Sequence, residues 1–467
     1  MSPKIPTSRI GRTAKFGGLV AGQGARWVGT QTANRFRTDE RADEKLGERA
    51  METANEIVEQ LGQMKGAAMK IGQVLSTIDF ELVPEGERDN FKAKLAQLRD
   101  DAPKVEFSKM RKVLESDLGG PMSQIFKAFD ETPIAAASIG QVYRATTHDG
   151  REVAVKVQYP GVAEAVETDL RNANLLFPLI KRLAPGLDVK AIAGELKDRI
   201  GEELDYEIEA QHQRQVARAF RGHPFVKVPA VDTALSTRRV LVSEFVDGVG
   251  FAEIAGLPDA ERDRYGEILF RFYFGLLERE HLACGDPHPG NVIFTPDGRI
   301  CFLDFGLMRK VPPAYLEGER VIGRALLAED AEGVHRQLGV LGYLPDPAAF
   351  DVDLVYRQLS DAGAWYLTPG FVRITPDLVR QVMESAGSPR SPYFEAMRRQ
   401  TVPPEALLIR RMEGLLFAVL GELRAGADWN ALMREGLFGV DDGATTELGR
   451  AEAEWLGQAR PTTSVAV

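Results

Sequence analysis

The stretch Gly285-Asp286-Pro287-His288-Pro289-Gly290-Asn291-Val292, followed thirteen residues after Asn291 by Asp304-Phe305-Gly306, constrains this chain more than any other feature. The apolar segment Ile300 to Leu303 leads into the second aspartate. Asn291 and Asp304 are therefore expected at the ends of two adjacent short strands. Phosphoryl transfer asks for a carboxylate near the acceptor and hard oxygen ligands for Mg²⁺, with little covalent chemistry from the protein. Asp286 suits the first role, and Asn291 and Asp304 the second. Gly290 and Gly306 let backbone pass close to a metal or phosphate. The ordinary alternative is a Pro-Gly turn followed by an unrelated Asp-Phe-Gly turn. The combined spacing is far more specific than either tripeptide.

Upstream, Val153-Ala154-Val155-Lys156-Val157 reads as a strand carrying one cation among apolar neighbours. Such a lysine can reach nucleotide phosphates and be held by a carboxylate; an edge lysine facing solvent is the bland alternative. Glu202, Glu203, Asp205, Glu207 and Glu209 crowd one later helix. Glu203 and Glu209 are about 600° of helical rotation apart, so periodicity leaves the partner open. Ala135-Ala136-Ala137-Ser138-Ile139-Gly140 occupies the position of a phosphate-covering loop, with alanine where kinases put glycine. Val242 to Val246 reads as the adenine-binding hinge, with Glu244 and Val246 supplying backbone groups. On an early helix, Lys70 and Gln73 share a face, which by itself reads as packing.

The expected organisation is a basic arm at 1–40, a helical extension at 41–120, a small sheet with helices at 121–246, a helical half at 247–440 and a tail at 441–467. Helices are expected from Glu40 to Ile78, Arg88 to Gln97, Phe107 to Leu118, Val162 to Leu183 and Val189 to Phe220. Strands are expected at Ile125 to Phe129, at a hairpin of Gln141 to Thr146 with Glu152 to Gln158 across Asp149-Gly150, at Val226 to Val231, Arg239 to Phe245, Val292 to Phe294 and Ile300 to Leu303.

Charge excludes one class of function. The net charge is −10 over 467 residues, which argues against a nucleic-acid binder. Residues 1–37 nevertheless hold seven Lys or Arg and no acid, leaving about −17 for the remainder. That arm suits an anionic membrane surface or is simply a solvated terminus. No apolar run is long enough to span a bilayer. The two cysteines, Cys284 and Cys301, provide no disulfide framework and fit a reducing compartment.

Together these elements resemble the UbiB atypical kinase family, also called AarF-like, which includes the mitochondrial coenzyme Q kinases. The resemblance runs from about Ile5 to about Leu437. Lys70-Ile71-Gly72-Gln73 matches its Lys-x-Gly-Gln motif, Ala135 to Ser138 its alanine-rich loop, and Glu203-Leu204-Asp205 its Glu-x-Asp element. It implies an α+β, two-lobed protein-kinase-like fold with an N-terminal helical extension over the cleft. It implies ATP (or ADP) and Mg²⁺ as cofactors, with Lys156 paired to Glu203. Lys70 and Gln73 would lie near Glu203 and Asp205 and occlude the site, making Lys70, Gln73, Asp205 and Glu209 regulatory positions. The implied role is in isoprenoid quinone metabolism, often as a lipid-stimulated ATPase. The implied partners are a nucleotide, an anionic membrane or isoprenoid lipid, and lipid-biosynthesis proteins. The expected location is cytoplasmic or peripheral at the membrane, since the C-terminal membrane helices of many bacterial relatives are missing. Cys284 departs from the kinase pattern, standing two before Asp286 where a histidine supports loop geometry. Two other functions remain: a phosphotransferase of the aminoglycoside or choline kinase type, sharing the loop Asp286 to Asn291, and a nucleotide-gated scaffold.

Overall fold

The computed structural model describes residues 45, 51–56, 58, 105–137, 139–168, 170–171, 201, 203–387, 391–438 and 444–459. Lys70, Gln73 and Ser138 lie outside the described residues, as do the basic arm, the expected helix Arg88 to Gln97 and most of the expected helix Val162 to Leu183. The chain divides into two compact units, one of Met1–Ile208 with Asp232–Ser243, the other of Glu209–Val231 with Glu244–Val467.

In the first unit, helix α1 (Phe107–Leu118) turns Met110, Val113 and Leu114 inward, the three- and four-residue steps of an amphipathic helix. Strands β1 (Phe126–Phe129), β2 (Ala135–Ala137), β3 (Gly140–Thr147) and β4 (Glu152–Gln158) follow. Of the two strands that come next in the chain, β6 (Val240–Glu244) joins this sheet, and β5 (Val226–Lys227) belongs to the second unit. The sheet runs β1-β3-β4-β6, and β2 also pairs with β3. β1 lies opposite Ala145 to Thr147 and β2 opposite Gly140 to Val142. Ala135 to Ala137 are thus a strand paired with β3, a correction to the expected loop. The β3–β4 hairpin turns at Gly150, whose φ of 88° suits glycine. α1 is fastened by Asp117, which accepts from the Thr237 hydroxyl at 2.8 Å and from Arg239. Phe107 adds ring contacts with Phe129 and Tyr143, each at 5.4 Å.

Gly140 is required by packing. A Cβ there would stand 2.2 Å from the Val157 carbonyl oxygen and 2.9 Å from the Tyr206 hydroxyl. Neither the β4 backbone nor the buried Tyr206 can withdraw cheaply. Gly140→Ala is expected to cost about 2–3 kcal/mol, in the range of overpacked cores. Urea denaturation checks this, and a loss below about 0.5 kcal/mol would contradict it.

Helix α2 (Tyr206–Ala219) carries the boundary between the units, at Ile208 and Glu209. The expected continuous helix from Val189 to Phe220 is broken at Leu204 and Asp205. Asp205 Oδ1 accepts the Glu207 N–H at 3.0 Å. A short acidic side chain competes for local N–H groups and starts a new helix instead of continuing the old one. The rotation counted from Glu203 to Glu209 therefore has no meaning across this break.

The second unit contains α3 (Asp259–Glu280), β7 (Leu282–Cys284), β8 (Val292–Phe294), β9 (Ile300–Phe302), β10 (Met308–Lys310), α4 (Pro404–Leu423) and α5 (Glu447–Ala459), with further helices between Pro313 and Met397. β7 pairs with β10, and β8 with β9, both antiparallel, while β5 runs parallel to β9. β5 stops at Lys227 instead of Val231, because Pro229 cannot donate to a ladder. The core includes Phe272 stacked on Phe302 with ring centroids 3.5 Å apart.

Within the stretch 441–467, read as a tail, the structure forms α5, and the cause is clear. Glu452 on α5 receives Arg279 at 2.9 Å and Arg271 at 3.1 Å, with His223 at 3.4 Å. Arg271 also meets Glu267 and Glu435, at 2.7 and 2.9 Å. Trp455 donates to the Arg221 carbonyl at 3.1 Å and meets the His223 ring edge-on at 4.5 Å. α5 is held by buried ion pairs and one aromatic anchor rather than by a long apolar stripe.

Candidate active site

In the second unit, the segment after β7 carries Asp286 and the segment before β8 carries Asn291. Between them, Pro289–Asn291 form a single tight helical turn. His288 shapes it: its Nδ1 accepts the Gly290 N–H at 3.0 Å and its carbonyl accepts the Asn291 N–H at 2.9 Å. Asn291 Nδ2 donates to the Asp286 carbonyl at 3.2 Å and to Asp286 Oδ2 at 3.3 Å. The Asn291 amide oxygen is thereby turned the other way. The Leu303 N–H donates to the Asn291 carbonyl at 3.0 Å, which brings the approach to Asp304 alongside Asn291. Asp304 Oδ1 accepts the Gly306 N–H at 2.9 Å.

The Asp-Phe-Gly turn is gripped by α2. Phe305 is fully buried, and His212 Nδ1 donates to its carbonyl at 3.1 Å. Glu209 is 5% exposed, and a Cβ built on Gly306 would lie 3.9 Å from its Oε2 and 3.3 Å from Asp304 Oδ1. Glu209, one of the acids crowding this region, lies beside the Asp-Phe-Gly turn. Glu203 is half-buried and precedes the break before α2.

Burial pushes the Cys284 thiol up to about 12, so it is a packing residue. Tyr273, buried on α3, is also raised, first by desolvation and then by Cys284, Asp286 and Asp304 nearby. In the first unit, Lys156 lies on β4, an interior strand between β3 and β6, which removes the edge-strand alternative. Its neighbours Val155 and Val157 are fully buried, and its Nζ stands 5.0 Å over the Tyr206 ring. The Glu244 N–H donates to the Ala230 carbonyl at 2.8 Å, and its carboxylate holds Lys227 at 2.8 Å. Val246 is buried.

Among the described residues no three His, Cys, Asp or Glu converge to hold a metal. Mg²⁺ does not need such a cage; one or two carboxylates plus substrate phosphates suffice. Asn291 and Asp304, hard oxygen donors joined through the Leu303 bond, fit it.

Sequence reading missed Arg411 and His212. Arg411 on α4 donates Nε to the Gly285 carbonyl at 2.8 Å, and its Nη2 stands 3.8 Å from Asp286 Oδ1. No local pattern marks either residue.

Residues 97–338 match the family model described as the ABC1 atypical kinase-like domain. The chain is 34% identical over 308 residues to "Atypical kinase COQ8B, mitochondrial" of Rattus norvegicus, covering 66% of this chain and 58% of the relative. It is 32% identical over 323 residues to "AarF domain-containing protein kinase 1" of Mus musculus, covering 68% and 59%. The match thus spans somewhat over half the length of these relatives. A solved structure, "The complex structure of Rv3197-erythromycin from Mycobacterium tuberculosis", is similar with a TM-score of 0.62 and 31% identity, over 86% of this chain and 100% of that one. Among the described residues, no helix is long and apolar enough to cross a membrane. The fold is of the kinase-like α+β class, and the chain belongs to the ABC1 atypical kinase family, the UbiB or AarF-like group.

Proposed function

We propose that this chain is an ATP-binding atypical kinase or ATPase that supports isoprenoid quinone or related lipid metabolism. The observation that carries the reading is the hydrogen-bonded set of Asp286 and Asn291, tied through Leu303 to Asp304. Asn291 and Asp304 would hold Mg²⁺, which would supply neutralisation of phosphate charge. Asp286 orients the attacking hydroxyl or water and takes its proton. Lys156 binds nucleotide phosphates from its interior strand, and Ala135, Ala136, Ala137 and Ser138 cover them. Adenine is met by the backbone at Glu244 and Val246. Glu209 steadies the Asp-Phe-Gly turn, while Glu203 remains the lysine partner that the family resemblance suggests. Lys70, Gln73 and Asp205 regulate access, and the basic arm meets an anionic membrane or isoprenoid lipid.

Purified protein with Mg-ATP, with and without anionic liposomes and quinone precursors, tests this. ATP turnover is expected, stimulated by liposomes, and product identification names the acceptor. Lys156→Met is expected to raise KM for ATP about tenfold, the loss of one charge-assisted contact. An unchanged KM would remove Lys156 from the nucleotide site. A phosphorylated soluble amino alcohol or aminoglycoside would instead favour a small-molecule phosphotransferase.

A further inference from the structure

The loop that carries Asp286 has no cation of its own: Cys284 to Phe294 contain neither Lys nor Arg. A carboxylate asked to work beside the Asp304 carboxylate and nucleotide phosphates is repelled by both. The structure brings a guanidinium to it from 126 positions away, outside the matched family segment that ends at residue 338. We propose that Arg411 is the positioning residue of Asp286, holding its carboxylate in the orientation that the reaction uses. This deepens the ATP-handling reading and rests on it.

Three observations carry the proposal. Arg411 uses one edge of its guanidinium for two partners: Nε grips the Gly285 carbonyl at 2.8 Å, while Nη2 faces Asp286 Oδ1 at 3.8 Å. Asn291 faces the other oxygen, Oδ2, at 3.3 Å, so the carboxylate is bracketed from both sides. The mount is rigid as well. Leu408, one turn before Arg411, packs where a Gly285 side chain would stand, 2.2 Å from Leu408 Cδ1 to the built Cβ. Leu408, Ile409 and Met412 are all buried, so α4 cannot slide without moving the loop. A planar guanidinium serves a backbone carbonyl and a carboxylate together; an ammonium is a point charge and serves them poorly. Asn291 holds Oδ2 and Arg411 faces Oδ1, so the two together set the Asp286 rotamer.

The test measures kcat and KM for Mg-ATP in wild type, Arg411→Met, Arg411→Lys, Asp286→Asn and the Arg411→Met/Asp286→Asn double variant. Arg411→Met is expected to lower kcat about 10- to 100-fold with KM within about twofold, since a misaligned catalytic group slows the step and spares nucleotide binding. Arg411→Lys is expected to fall between wild type and Arg411→Met. The double variant is expected to be no slower than Asp286→Asn, because one residue acts through the other. Wild-type kcat in Arg411→Met alongside a crippled Asp286→Asn overturns the proposal and leaves the ATP reading standing. Multiplied losses in the double variant overturn it too. Equal turnover in wild type and Asp286→Asn removes the ATP reading, and the role of Arg411 with it. Should Arg411→Met fail to fold, Arg411→Lys carries the comparison: a partial loss of kcat supports the proposal and full activity overturns it.

Discussion

Replacing Asp304 with Asn is expected to cut Mg-ATP turnover by about a hundred- to a thousandfold while the thermal melt barely moves. The substitution is nearly isosteric, and an amide oxygen at the position of Oδ1 still accepts the Gly306 N–H, so the turn keeps its hydrogen bond. Phe305 stays buried and His212 keeps its carbonyl, so the surrounding packing is unchanged. What the substitution removes is the negative charge on the proposed metal ligand. In the proposed site Asn291 supplies the other, neutral oxygen, and two neutral amides bind Mg²⁺ much more weakly than an amide with a carboxylate. The apparent Mg²⁺ requirement should therefore rise as turnover falls. Steady-state kinetics over a Mg²⁺ series decides it, and turnover within about threefold of wild type would remove Asp304 from the metal site.

Glu452→Ala is expected to destabilise the second unit by about 3 kcal/mol, the scale for breaking a buried ion pair from one side. Arg271, Arg279 and His223 all face Glu452, and its removal leaves them buried with less opposing charge. The same network sets a pH dependence. Desolvation favours the neutral Glu452 carboxyl but is outweighed by the His223 hydrogen bond and the two arginines, so its pKa is lowered below 4.5. His223 is lowered below 6.5, chiefly by burial, against the pull of Glu452. Both folded values lie under their unfolded ones. The unfolded chain thus binds protons first on acidification, and stability present above about pH 6.5 falls first through His223 and then, below about 4.5, through Glu452. Denaturant unfolding of wild type and variant across this range checks both statements. A loss under about 1 kcal/mol, or a wild-type stability flat from pH 7 to 4, would contradict the network's role.

The elements legible in the sequence are those whose signal is local. α1 runs from Phe107 to Leu118 as its apolar steps predict, and β4 and β8 begin and end where their apolar runs do. The association of Asp286 with Asn291 was equally legible, because they are five residues apart and interact directly. What failed depended on competition or distance. Asp205 breaks a helix by offering its own side chain to an N–H, which an apolar count does not register. Pro229 shortens β5 by lacking a donor. Ala135 to Ala137 pair with β3, a partnership that alanine propensity does not advertise. Arg411 and Glu452 were invisible because a lone charge on a helix reads as a solvated residue until its partners, more than a hundred positions away, are known.

The division of the chain between its units has a temporal side. Strand β6 closes the sheet of the first unit, yet residues 209–231, which emerge from the ribosome before it, belong to the second. Neither unit is complete in any one contiguous stretch of nascent chain. An open edge on β4 persists until about residue 243 has been released, a window during which a chaperone or the growing chain itself must keep that edge from foreign strands.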